Sequence, residues 1–163
     1  MSAPEEKTRL NEPVFRAIHD DDPEIIEAHA RASATIPEFL LRVRRGGKVQ
    51  VMAKLRFKDP DLSDQLGEDR FFYLWLSEVV YHPDEELFSG VFFEIPQGFE
   101  KWHQVGQRLG FEPEDMFDWM VIDDGHLRGG FTIRVTRSRQ KTEEEKVRYD
   151  EYIGVTSCEP IDD

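Results

Sequence analysis

Residues 117–137, FDWMVIDDGHLRGGFTIRVTR, carry the clearest periodic pattern in the chain. Phe117, Trp119 and Val121 form one alternating set, and Asp118, Met120 and Ile122 form the other, which predicts a strand with two distinct faces. Asp123, Asp124 and Gly125 then supply a turn, because Asp-Gly accepts the positive φ of a tight hairpin. Beyond Gly129 and Gly130 the alternation resumes. Phe131, Ile133 and Val135 face one way and Thr132, Arg134 and Thr136 the other, so 131–135 is expected to be the second strand.

Three further segments extend this pattern upstream. Residues 49–57 alternate Val49, Val51, Ala53, Leu55 and Phe57 against Gln50, Met52, Lys54 and Arg56, predicting a half-buried strand with a basic open face. Residues 70–81 are apolar on both faces and predict a central strand. Residues 87–95 predict another, with Gly90 marking a bulge or a close approach. Asp22-Pro23 has the form of a helix start, an Asp cap followed by Pro in the first turn. That helix should end near Ile36-Pro37, where PEFLLRV begins a second short one. Residues 59–70 read as a polar loop. Residues 99–109 read as a helix, or as an irregular loop followed by a short helix around 112–116. Thr142 and Glu145 have capping-box spacing for a helix to about Tyr152, with Gly154 ending it. The expectation is an α+β fold: a mainly antiparallel, curved sheet of about five strands with N-terminal and C-terminal helices. Residues 1–22 read as a flexible acidic segment, 23–153 as one domain, and 154–163 as a flexible acidic tail.

A chain of 163 residues with 39% hydrophobic content suits one domain with a substantial core. No apolar run is long enough to span a bilayer, and the N-terminus lacks the basic start and apolar stretch of a secretory signal. Cys158 is the lone cysteine, so no intrachain disulfide forms, and a soluble cytoplasmic protein is expected. The formal charge of −13 opposes nucleic acid or anionic membrane as a partner and favours a basic protein. Its distribution is uneven. Residues 40–58 hold seven basic and no acidic side chains, and residues 141–163 hold three basic and eight acidic ones. The acidic tail either folds over the basic strand or, like it, faces solvent.

The hairpin segment, with Asp118, Trp119, Met120, Gly125, Gly130, Thr132 and Arg134, resembles the DUF2314 family of small bacterial domains of unknown function. FSGVFFEIPQG at 88–98, with Gly90 and Pro96, is similar to a further block of that family. FYLWLSEV at 72–79 and PEFL at 37–40 match its layout. The similarity covers roughly residues 23–140 and implies a fold without an established reaction.

No motif identifies chemistry. The glycine patterns of nucleotide and dinucleotide loops are absent, and so is the Gly-x-Ser-x-Gly elbow. None of the five histidines has zinc-protease spacing, so no metal, cofactor or catalytic residue is assigned. The candidate binding groove comprises Asp118, Trp119, Arg128, Thr132, Arg134 and Trp75. In it, arginines can hold a carboxylate or phosphate, and Asp118 beside an aromatic can have a raised pKa. Gly125, Gly129 and Gly130 are expected to be structural turn residues. The leading functional expectation is a non-enzymatic protein-binding domain for a basic partner, an immunity-type protein being one version. The alternative is a small-molecule-binding domain or hydrolase with a polar groove near the hairpin.

Overall fold

The structure, a computed structural model, describes residues 22–161. The segment expected to be flexible at 1–22 lies outside the described residues except for Asp22. That residue accepts a hydrogen bond from the Glu24 N–H at 3.1 Å and caps helix α1, Pro23–Ala34. Helix α2, Ile36–Arg45, follows after a single residue, Thr35. Next come β1 (Gln50–Lys58), α3 (Pro60–Leu66), β2 (Phe71–His82), β3 (Leu87–Phe92) and β4 (Arg108–Phe111). The chain continues through β5 (Met116–Asp123), β6 (His126–Gly129), α4 (Phe131–Ser138), α5 (Glu143–Ile153) and β7 (Ser157–Cys158).

The strands form one sheet in the order β4-β3-β2-β1-β5-β6-β7. All neighbours are antiparallel except β6 and β7, which are parallel. The α+β class matches the sequence expectation, but the sheet has seven strands among the described residues instead of about five. Strand β4 comes from the segment expected to be either a helix over 99–109 or an irregular loop before a short helix around 112–116, and the structure is nearer the second. Only Phe99–Lys101 there forms a single 3-10 turn, and a second such turn, Pro113–Asp115, leads into β5. Residues 59–70, expected to be a loop, contain α3. Asp59 caps it through the Leu62 N–H at 3.0 Å, and Gly67 ends it in the left-handed conformation.

The largest departure lies in the hairpin itself. Its two-residue turn is Asp124-Gly125, with φ of 48° and 83°, between the paired residues Asp123 and His126. The returning strand is β6, and it stops after four residues. Gly129 and Gly130 take φ of 72° and 64°, and residues 131–135, expected to be a strand, are the first part of helix α4. Gly129 has no alternative: a Cβ there would lie 2.5 Å from the Trp119 carbonyl oxygen and 2.6 Å from its ring.

The core is aromatic and centred on Trp119. Its ring stacks on Phe39 of α2 at 5.2 Å between centroids, and Phe39 stacks in turn on Phe88 of β3 at 5.5 Å. Phe131 meets Trp119 edge-on at 5.9 Å. The Trp119 indole N–H donates to the Thr35 hydroxyl at 3.0 Å, so the joint between α1 and α2 is pinned to β5. Residues 154–161 of the tail lie against the domain. Val155 is buried, and Ser157 and Cys158 pair with His126 and Leu127.

Candidate functional site

Asp118 does not reach solvent. It is 0% exposed and accepts four hydrogen bonds. Oδ1 takes the backbone N–H of Trp119 at 2.8 Å and of Phe131 at 3.1 Å. Oδ2 takes the Thr132 N–H at 2.7 Å and the Thr132 hydroxyl at 2.6 Å. Helix α4 begins at Gly130, which has no side chain to cap it, so the strand β5 carboxylate supplies the cap. Four β-branched residues, Thr132, Ile133, Val135 and Thr136, follow in close order, and the carboxylate at the positive end of the helix overrides their strand preference.

Opposite Asp118 in the β1–β5 ladder stands Lys54, 3% exposed, with Nζ 4.9 Å from the centre of the Tyr73 ring. Burial drives the Lys54 ammonium down to about 8, against the countervailing charge of Asp118. Burial pushes the Asp118 carboxyl upward, opposed first by Lys54 and then by the bonds from Thr132 and Trp119. The face of β1 expected to be open and basic is therefore closed at Lys54. Arg56, further along, is exposed and lies over Phe71 and Phe117 at 4.2 and 5.1 Å. Asp118 and Thr132 are internal scaffold, and Trp75, 2% exposed and in register with Lys54, belongs to the core. None of these three can touch a ligand at the surface.

The other three nominated residues do converge. Trp119, Arg128 and Arg134 line one cavity of about 320 Å³ together with Thr35, Glu38 and Glu159. Arg134 donates from Nε to the Gly129 carbonyl at 2.9 Å and from a terminal nitrogen to the Glu159 carbonyl at 2.6 Å. The Glu159 carboxylate meets Arg128 at 2.9 Å and His126 at 2.8 Å. These contacts hold its pKa below the ordinary range, the His126 hydrogen bond being the main cause. The acidic tail thus folds over a basic surface, but over β6 and α4 rather than the face of β1.

Two further groupings carry no sequence motif. The Ser89 hydroxyl lies 2.8 Å from His82 Nε2 and accepts from Arg108 at 2.8 Å. Ser89 is 4% exposed, and the trio ties β2, β3 and β4 together. On the sheet beside α5, a groove of about 500 Å³ is lined by Gln50, Met52, Ser77, Phe93, Met120, Tyr152 and Ile153. Among the described residues no cluster of three or more metal-binding side chains occurs, and no helix is long and apolar enough to cross a membrane.

This sheet-and-helix frame, with a strand carboxylate capping the helix after the hairpin, defines a small α+β domain. The sequence model of a family described as an uncharacterized protein conserved in bacteria, DUF2314, matches residues 22–156, and the chain belongs to that family. A putative ankyrin repeat protein of Neisseria meningitidis serogroup B is 28% identical to it over 159 residues. That match covers 93% of this chain and 59% of the relative, so the chain spans well under two thirds of the relative's length. No solved structure matches the chain significantly.

Proposed function

We propose that this protein is a non-enzymatic protein-binding module, docking through the groove beside α5. The observation behind this reading is the groove's lining: seven side chains without a formal charge, two of them methionine and two aromatic. Methionine and aromatic side chains adapt to apolar partner groups, and the lining's two hydroxyls, on Ser77 and Tyr152, donate to the Val91 carbonyl and the Glu94 carboxylate. The lining residues Ser77, Phe93 and Tyr152 are each followed or preceded in sequence by a glutamate, Glu78, Glu94 and Glu151. With a net charge of −13, the partner of best fit is a basic segment carrying apolar side chains.

Neutralisation of a basic toxin by an immunity-type protein is one specific form of this reading. The relative's description as a putative ankyrin repeat protein supports an interaction role for such domains, because stacked repeats present extended binding surfaces. The lone cysteine fits a cytoplasmic setting. A photo-cross-linking residue in place of Tyr152, which is 47% exposed, should capture one specific basic protein from a native lysate. Phe93→Asp should abolish that capture. Failure to recover any specific protein, combined with reproducible binding of a small ligand, would sink the reading.

A further inference from the structure

Residues 156–161 sit on the molecule as a ligand sits on a receptor. The Thr156 and Ser157 N–H groups donate to the Gly125 carbonyl at 2.7 and 3.2 Å, and the Glu159 N–H donates to the Leu127 carbonyl at 2.7 Å. These bonds extend the sheet by an outermost strand of two residues, both exposed. Recognition is concentrated on one side chain. His126 and Arg128 hold the Glu159 carboxylate, His126 Nδ1 reaches the Ser157 hydroxyl at 2.7 Å, and Arg134 holds the Glu159 carbonyl. Three cationic or donor side chains from two elements, β6 and α4, converge on a single residue of a short strap.

The strap leaves space around itself. The cavity of about 320 Å³ containing Trp119 and Arg128 lies on one side of it. A second, also about 320 Å³, is lined by Ala28, Arg31, Phe131, Arg134 and Val135 among others. Both include Arg134 and Ile161, so the strap crosses between them and fills neither. Strand addition at a sheet edge gives affinity through the backbone and specificity through flanking side-chain pockets.

We propose that the β6 edge, with His126, Arg128 and Arg134, is a binding site for an extended acidic peptide segment of another protein. Residues 156–161 occupy it in cis. The incoming strand replaces β7, its carboxylate replaces that of Glu159, and its neighbouring side chains enter the two cavities. This site is separate from the groove beside α5, and either can fail without the other.

The test uses the full chain and a synthetic peptide, Thr-Ser-Ser-Glu-Pro-Ile, which is the strap with its cysteine replaced by serine. Glu159→Ala frees the site while leaving the fold, checked by circular dichroism. That variant should bind the peptide about two- to fivefold more tightly than the wild type, since a partly exposed carboxylate held by Arg128 and His126 contributes on that order. Backbone amide shifts should map to residues 125–130. A peptide with Gln for Glu, or Arg128→Ala added to the variant, should lose most of this binding. In the wild type, the amides of Thr156, Ser157 and Glu159 should exchange with solvent at least about 100-fold faster than those of β1, because the strap opens locally. Equal affinity of wild type and variant, indifference to Gln, or strap exchange only with global unfolding would each overturn the proposal. Sedimentation showing two copies that exchange straps at working concentration would overturn the assignment to a separate partner.

Discussion

Replacing Asp118 with alanine removes the acceptor of four buried donors at once: the N–H groups of Trp119, Phe131 and Thr132, and the Thr132 hydroxyl. Each lost bond with an orphaned buried donor costs about 1 kcal/mol or somewhat more, so the expected loss is roughly 4 kcal/mol. That is a large part of the roughly 5–15 kcal/mol that holds a domain of this size folded. Asp118→Asn separates the contributions. Its remaining carbonyl oxygen can still take the Trp119 and Phe131 N–H groups, but its NH₂ would face the Thr132 donors. The expected loss is roughly 2–3 kcal/mol. Adding Lys54→Met to Asp118→Asn should recover about 1–2 kcal/mol of that loss, because it removes the buried charge left without its counterpart. Urea unfolding followed by tryptophan fluorescence measures all of these, since Trp75 and Trp119 are both buried. If Asp118→Ala unfolds within about 1 kcal/mol of the wild type, or Asn and Ala cost the same, the carboxylate is not the cap described here.

Two other expectations follow from the same region. Lys54 is held near 8 in the folded protein against an ordinary value of 10.5, so the unfolded chain binds the extra proton between those pH values. Stability should therefore rise with pH across that window, by about 3 kcal/mol in total relative to Lys54→Met, and the difference should be flat below pH 8; urea midpoints at pH 7, 8, 9 and 10 provide the check. Gly129→Ala would place its Cβ against Trp119 backbone and ring, whereas Gly47, with φ of 100°, has nothing within 4 Å. Gly47→Ala should cost about 1 kcal/mol of backbone strain, and Gly129→Ala several times more or a chain that does not fold, read from melting temperatures and soluble yield.

Much of the architecture was legible from periodicity. Strands β1 and β5 show in the sequence as alternating sets and β2 as a run apolar on both faces, the form of a central strand, and Asp22-Pro23, Thr142 and Gly154 mark helix ends by their own chemistry. The helix at α4 was not legible, because Thr132, Ile133, Val135 and Thr136 have strand propensity, and the group that overrides it lies 13 residues upstream of Phe131. Helix α3 had a readable signal that went unused: Asp59-Pro60 repeats the Asp22-Pro23 start, and Gly67 supplies the stop. Of the nominated groove, Trp119, Arg128 and Arg134 share a cavity, whereas Asp118, Thr132 and Trp75 are interior. Alternation put Asp118 and Trp119 on opposite faces of the strand but could not say that both are buried, at 0% and 1% exposure. His126 and Glu159 were missed as partners because 33 residues separate them and β7 is only two residues long. The lining of the groove beside α5 gathers one or two residues each from β1, β2, β5, α5 and the segment after β3, which no local pattern records.

The origin of the α4 cap also has a consequence for the order of assembly. A helix of eight residues rich in β-branched side chains does not nucleate by itself in water. Here its first turn is completed only when β5 and β6 have paired and Asp118 stands beneath Phe131 and Thr132. The hairpin is therefore the template and the helix its product. On the folding pathway α4 is therefore expected to be a late element, its formation reporting that the strand register before it is correct.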